Sequence, residues 1–452
     1  MELERGRLTQ HVENSVAYAR NAALLAESAG SHALVIRARL LEASRYAGKG
    51  DLPQSEEMVR LAVSLAEKSH LGAVAAEGLI DLSEVIFAQV KYEEAARLLE
   101  QARGIAQRFS AKRTEAEVLL RLGRVLARIN DTERRQQARA ALDEAEKFFQ
   151  SSGAKASLVR TLRARGDLYR FEGKLGEARL QHERAARESE TDHDRTLSRI
   201  ALAQVSMLQG NYLAVAKLQR ENADYYRRAG NKLLGQRYQL DHAHALRLAG
   251  RWEEAESALR VVVDEGPGPE FVDRCEVDQA AIDFGRRRLD RALGRLEQNL
   301  AKIDPKEKKA HYERRRYDLC MKYASAGWTA KAENLCTEIA PIERPSPRRY
   351  LDVLDALAMV SLQKHDYPRA ARLARESLEL SAAGKMTESH FFTLMLLTRA
   401  LHGAGDAEWR AARERTRDAL RQWEKESGED VVRQSLTRWF IAEHWNAVQQ
   451  FE

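Results

Sequence analysis

Small and large apolar residues return along the chain at helical spacing, and one stretch shows the unit plainly. Ala243 and Leu246 fall three residues apart on one face of a helix, Gly250 follows as a stop, and Trp252, Ala255, Leu259 and Val262 trace one face of a second helix. The pattern predicts a helical hairpin. Its small residues, Ala243 and Ala255, mark where the two backbones can approach most closely.

The position of Ala255 recurs as Ser15, Ser55, Ala95, Ala138, Ala178, Val215, Ala292, Ala332, Ala370 and Ala412, at intervals of 37 to 43 residues. A hairpin with one apolar stripe per helix cannot cover that stripe alone, so neighbours must stack. Residues 11–28, with Ser15, Ala19 and Ala22 inward, read as a second helix whose partner has too little chain before it. A three-residue insertion predicts a longer turn from Asn130 to Gln136. Glu265 to Glu270 and Pro341 to Arg349 read as stiff turns between hairpins, and Glu424 to Asp430 as a polar turn. The expected division is an incomplete N-terminal hairpin at 1–28, repeats at 29–265 and 266–428, and an amphipathic C-terminal helix at 429–452.

The motif residues are Gly166, Tyr169, Gly173, Leu175, Ala178 and Ala185 in one unit and Leu202, Ala203, Gly210 and Tyr212 in the next. Leu82, Tyr92, Ala95, Leu99 and Ala102 repeat them, as do Leu357, Ala358, Tyr367 and Ala370. This set resembles the tetratricopeptide repeat (TPR) family, usually about 34 residues per repeat, in its longer variety. That variety occurs in kinesin light chains, spindle-orientation adaptors and some bacterial regulators. Spanning roughly residues 5 to 425, the resemblance implies an all-α, right-handed α-solenoid of about ten hairpins with a C-terminal capping helix.

Composition fits a helical stack: 31% of the residues are charged and only eight are proline. A net charge of +6 on 74 basic and 68 acidic residues is small, so the basic pI does not by itself indicate nucleic acid. The charged N-terminus lacks a signal-peptide core, and no run nears the ~20 apolar residues of a membrane span. A cytoplasmic protein is expected. Cys320 and Cys336 fall in one hairpin and Cys275 elsewhere; the expectation is three buried free thiols in a reducing compartment.

No phosphate-binding glycine loop, His-Glu-x-x-His, Cys-x-x-Cys, nucleophile elbow or kinase signature occurs, and His242 and His244 point to different helix faces. Neither catalysis nor a metal or other cofactor is expected.

The resemblance implies that first helices line a concave surface at positions six before, three before, one after and four after their small residue. Around Gly166 these are Arg160, Arg163, Asp167 and Arg170; around Ala243, Arg237, Leu240, His244 and Arg247. Around Ala280 they are Arg274, Val277, Ala281 and Phe284, and around Cys320, Arg314, Tyr317, Met321 and Ala324. A peptide-binding groove of Arg163, Arg170, Arg237, His244, Arg247, Arg274 and Arg314 would suit an acidic peptide segment or a chain-end carboxylate. A groove facing water is polar in any case, and the runs Arg286 to Arg288 and Arg314 to Arg316 read as solvated faces.

The leading reading is a non-catalytic protein-interaction scaffold. A second is a homo-oligomer assembled head to tail through terminal helices, using Trp439, Phe440 and Trp445, which would otherwise cap the stack. A third is a regulatory or adaptor module of a signalling or defence system.

Overall fold

The computed structural model describes residues 12–344, 347–381, 388–436 and 438–451. Among them the backbone is helical with no strand, and helices pair in sequence order as an α-solenoid of hairpins. The chain divides into two compact units, residues 1–205 and 206–452. Within each unit, first helices of successive hairpins also touch, Lys112–Leu126 against Lys155–Phe171 and Lys309–Ala326 against Pro347–Gln363. Second helices approach each other less, so the first helices form the inner, tighter layer of each unit.

The hairpin crossing is where the sequence pattern acts. Ser55, Ala95, Ala138, Ala178, Val215, Ala255, Ala292, Ala332, Ala370 and Ala412 are all 1% exposed or less. The side chain of Ser15 lies outside the described residues, while Ala19 and Ala22 are buried. Ser55 Oγ donates to the Ala43 carbonyl 2.8 Å away, tying the crossing directly. In two hairpins the residue four after the small one faces the small residue of the first helix: a Cβ on Gly123 would lie 2.5 Å from Leu142, and one on Gly166 2.6 Å from the His182 ring. Any larger residue at 123 or 166 would push the helices apart.

The same crossing overturns the free-thiol expectation. Cys320 takes the small first-helix position and Cys336 the position four after Ala332, and the two are joined in a disulfide; Cys275 alone is free. The argument for a reducing compartment falls with it. No helix among the described residues is long and apolar enough to cross a membrane.

Several boundaries move. Asp131 caps Thr132–Ser151 by accepting from the Arg134 N–H at 2.8 Å, so the insertion lengthens the turn at 127–131 and residues 132–136 are helical. Pro341 lies inside Thr329–Glu343, close to its end, where little of the hydrogen-bond ladder remains to be broken. Residues 345 and 346 of that expected turn lie outside the described residues. Trp409–Ser427 runs through most of the expected polar turn. The C-terminal helix is two helices, Glu429–Leu436 and Trp439–Gln449, with Arg438 extended before the second. They fold back on their own unit: Val431 abuts Gly210, and the Trp439 indole N–H donates to the Phe284 carbonyl at 3.1 Å.

Turns between helices converge on one geometry. At Gly250 (φ 72°) the N–H bonds to the Arg247 carbonyl at 3.1 Å and the next N–H to Leu246 at 2.9 Å. At Val90 (φ 66°) the N–H bonds to the Phe87 carbonyl at 2.9 Å and the Lys91 N–H to the Ile86 carbonyl at 3.2 Å. A β-branched residue in this left-handed conformation costs about 1–2 kcal/mol. Val90→Gly is therefore expected to raise stability by about 1 kcal/mol in urea titrations, and Gly250→Val to lower it by at least as much.

His182 is 0% exposed, and neither ring nitrogen has a hydrogen-bond partner. Burial pushes its pKa down to about 4, and Asp167, 3.9 Å away, offsets this only in part. The unfolded chain binds a proton near the ordinary 6.5, so this contribution is complete above that pH and is lost as pH falls towards 4. Between pH 7.5 and 5 the loss should be about 2 kcal/mol. A His182→Leu variant should show a correspondingly shallower acid limb. Alkylation of the denatured chain should modify one thiol before reduction and three after it, because only Cys275 is unpaired.

Candidate functional site: an arginine-lined pocket

In the unit formed by residues 1–205, four successive first helices, Gly72–Ala88, Lys112–Leu126, Lys155–Phe171 and Asp192–Leu208, and the turn after the second of them enclose a pocket of about 390 Å³. Its lining holds six arginines, Arg121, Arg124, Arg128, Arg160, Arg163 and Arg170, against two carboxylates, Glu84 and Asp167. Leu120, Ala164, Leu197, Ile200 and Ala201 supply its apolar part.

Carboxylates one repeat away neutralise some of this charge. Glu84 pairs with Arg121 at 3.1 Å and with Arg124. Glu117 takes Arg121 and Arg160, both at 2.9 Å, and Ser157 Oγ at 2.6 Å, which together outweigh the effect of burial and hold its pKa low. Asp167 holds Arg170 at 3.1 Å. Aromatic faces take others: Arg128 lies 4.8 Å from the Phe171 ring centre and 5.7 Å from that of Phe87, and Arg170 lies 4.4 Å from Phe171.

Arg163 has neither kind of partner. Among the described residues no hydrogen bond or ion pair reaches it, and burial pushes its pKa down although Asp194 and Asp167 act in the opposite sense. The position three before the small residue explains this. In the neighbouring hairpins it is occupied by Ile80, Leu120 and Ile200, so Arg163 is a charge in an apolar row. A guanidinium cannot shed its proton to suit such a place.

The expected groove residues separate into different settings. Arg163 and Arg170 line the pocket. In the other unit, His244, Arg247 and Arg274 gather around Asp278, at 3.8, 3.9 and 3.5 Å, with Arg274 also bonded to Asp241 at 2.7 Å. Burial raises the Asp278 pKa, but the nearby His244 ring and the two guanidinium groups bring it below the ordinary value. These three basic residues are thus largely matched within the fold. Arg237 and Arg314 are exposed, Arg237 lying 5.9 Å from the Tyr238 ring.

The run at 314–316 is not a solvated face. Arg315 and Arg316 are buried, Arg315 bonding Asn299, Asp273 and Asp318 at 2.7–2.9 Å and Arg316 bonding Glu313 and Glu338. Of the expected self-association residues, Trp439 packs 5.4 Å from Phe284, Phe440 6.5 Å from Phe392 and Trp445 5.4 Å from Phe391, all half-buried in their own unit.

Arg121, Arg124 and Arg128 were not anticipated. The insertion before Ala138 displaces the small residue of that first helix to Gly123, and the four offsets counted from it give Glu117, Leu120, Arg124 and Ala127. The same count from Ala203 gives Leu197, Ile200 and Gln204, all in the lining. No group of three or more His, Cys, Asp or Glu among the described residues could hold a metal ion.

No family model and no curated protein matches the chain. Solved structures do. BtubC from P. vanneervenii is 15% identical over 58% of this chain and 96% of its own, with a TM-score of 0.38. The apo form of RapI is 13% identical over 54% and 96%, at 0.40. A signal-transduction ATPase with a tetratricopeptide repeat sensor from Pyrococcus horikoshii is 12% identical over 96% of this chain and 55% of its own, at 0.43.

Proposed function

We propose that this chain is a non-catalytic scaffold whose inner first-helix layer binds an acidic peptide segment, held at the pocket between residues 84 and 204. The observation that carries this reading is Arg163, a partly buried guanidinium without an anionic partner, in a pocket where six arginines face two carboxylates. A peptide carboxylate would supply the missing charge through paired hydrogen bonds. The half-buried Leu197 and Ile200 would cover the carbon part of the ligand.

Head-to-tail assembly is supported less well, because Trp439, Phe440 and Trp445 are engaged within their own unit.

A labelled library of nine-residue peptides with a fixed central glutamate should bind the full chain, and its lysine counterpart should not. Charge reversal at Arg163 and Arg170 together should weaken binding by about 10- to 100-fold, the loss expected for charged hydrogen bonds. Raising salt should weaken the wild-type complex, since the pocket is open to solvent. Equal binding of both libraries, or indifference to the reversal, overturns the proposal.

A further inference from the structure

The charge pattern inside the pocket narrows the ligand further. Arg121, Arg124, Arg160 and Arg170 each have a carboxylate within 3.1 Å. Two pocket arginines do not: among the described residues Arg163 has no hydrogen-bond or ion-pair partner, and the Arg128 guanidinium rests on Phe171 and Phe87. They come from successive repeats, one on Lys155–Phe171 and the other in the turn just after Lys112–Leu126, and they line the same 390 Å³ space.

A single carboxylate can bridge two guanidinium groups, as Glu84 and Glu117 each do here, but it brings only one negative charge to them. Balancing the charge of two unpaired guanidinium groups calls for a ligand group with two negative charges in a small volume. A phosphate monoester meets this, with close to two negative charges at neutral pH and three terminal oxygens. A single carboxylate ligand would leave one of the two positive charges unbalanced. The lining also contains Leu120, Ala164, Leu197, Ile200 and Ala201, so the carbon skeleton bearing the phosphate can lie against apolar side chains.

We infer that this pocket is a phosphate-monoester site in which Arg163 and Arg128 bind the dianion and the side chains of the 192–208 helix cover the group that carries it. This rests on the proposed peptide-binding role of the same pocket and specifies the residue recognised as a phosphorylated side chain. A small phosphate ester would present the same chemistry, and the test separates the two sources.

The test uses fluorescence anisotropy on the full chain with two labelled nine-residue libraries, one with central phosphoserine and one with central glutamate. Phosphoserine should bind about tenfold tighter or better, the gain from a second charge-assisted fork. That advantage should shrink below pH 6, where the monoester takes up its second proton, while glutamate binding stays level to pH 5.

Arg163→Gln and Arg128→Gln should each remove the phosphoserine advantage. Arg163→Lys should recover part of it by restoring charge without the fork, which a change that merely unfolds the pocket would not do. Phenyl phosphate is the competitor. Competition at concentrations near those of the phosphopeptide identifies a small ester as a sufficient ligand, whereas competition only at far higher concentrations shows that the peptide chain contributes; either outcome supports the dianion site. Equal affinity for the two libraries overturns the phosphate inference and leaves the acidic-peptide reading standing. Failure of both libraries to bind overturns both.

Discussion

The structure depends on close helix crossings at buried small residues, and in three hairpins the contact is a small residue on the first helix against the residue four places after the small one on the second. Gly123 with Leu142, Gly166 with His182 and Cys320 with Cys336 are three chemical versions of it, one apolar, one polar and one covalent. Because the crossing has a fixed geometry, the first helices of successive hairpins arrive at similar spacing and rotation. Residues at fixed offsets from the crossing then share a surface whatever their identity. The turn at Val90 shows how strongly the geometry is imposed, since it takes the left-handed conformation without a glycine. Inserting a Cβ into the crossing would cost about 1–3 kcal/mol and disturb that registration.

Charge on the inner layer follows the same registration. Glu84 and Arg124 are one repeat apart in sequence, as are Glu117 and Arg160, and each pair meets across adjacent first helices. Such pairs are partly exposed, and their individual contribution to stability is modest. Their larger effect is on the ligand surface. A repeat with a matching carboxylate cancels the arginine beside it, and a repeat without one leaves the arginine available. The pocket results from the second case occurring at Arg163 within a cluster where the first case is the rule.

Much of this was legible in the sequence, and the failures have physical causes. The period and the small residues identified the hairpins, and ten of the marked positions are buried at the crossings because nothing larger fits there. Arg160, Arg163, Asp167 and Arg170 were placed in the pocket by counting from Gly166. The offsets were counted from Gly166, Ala243, Ala280 and Cys320 alone, so Gly123, shifted by the insertion before Ala138, and the arginines around it were not reached. Pairing was not legible at all: a sequence shows that Arg247 and Arg274 face inward but not that Asp278 lies between them. The disulfide was missed for a related reason, since the register put both cysteines in one hairpin without giving the distance between their backbones.

Two charged residues occupy the row three places before the small residue, otherwise held by Ile80, Leu120, Ile200, Leu240, Val277, Tyr317 and Leu397, and they meet that setting in opposite ways. Asp355, in the second unit, is 3% exposed, and burial lifts its pKa to about 8 even though Thr393 Oγ1 lies 2.8 Å away and favours the ionised form. It can therefore be neutral at ordinary pH and settle as a hydrogen-bonded core group. Arg163 has no neutral form within reach, so the same apolar row leaves it charged and without an ion-pair partner among the described residues. A carboxyl group in this row becomes part of the core, whereas a guanidinium in this row stays charged, and the proposed binding role draws on that charge. That difference in acid–base chemistry, rather than any difference in fold, separates the two positions.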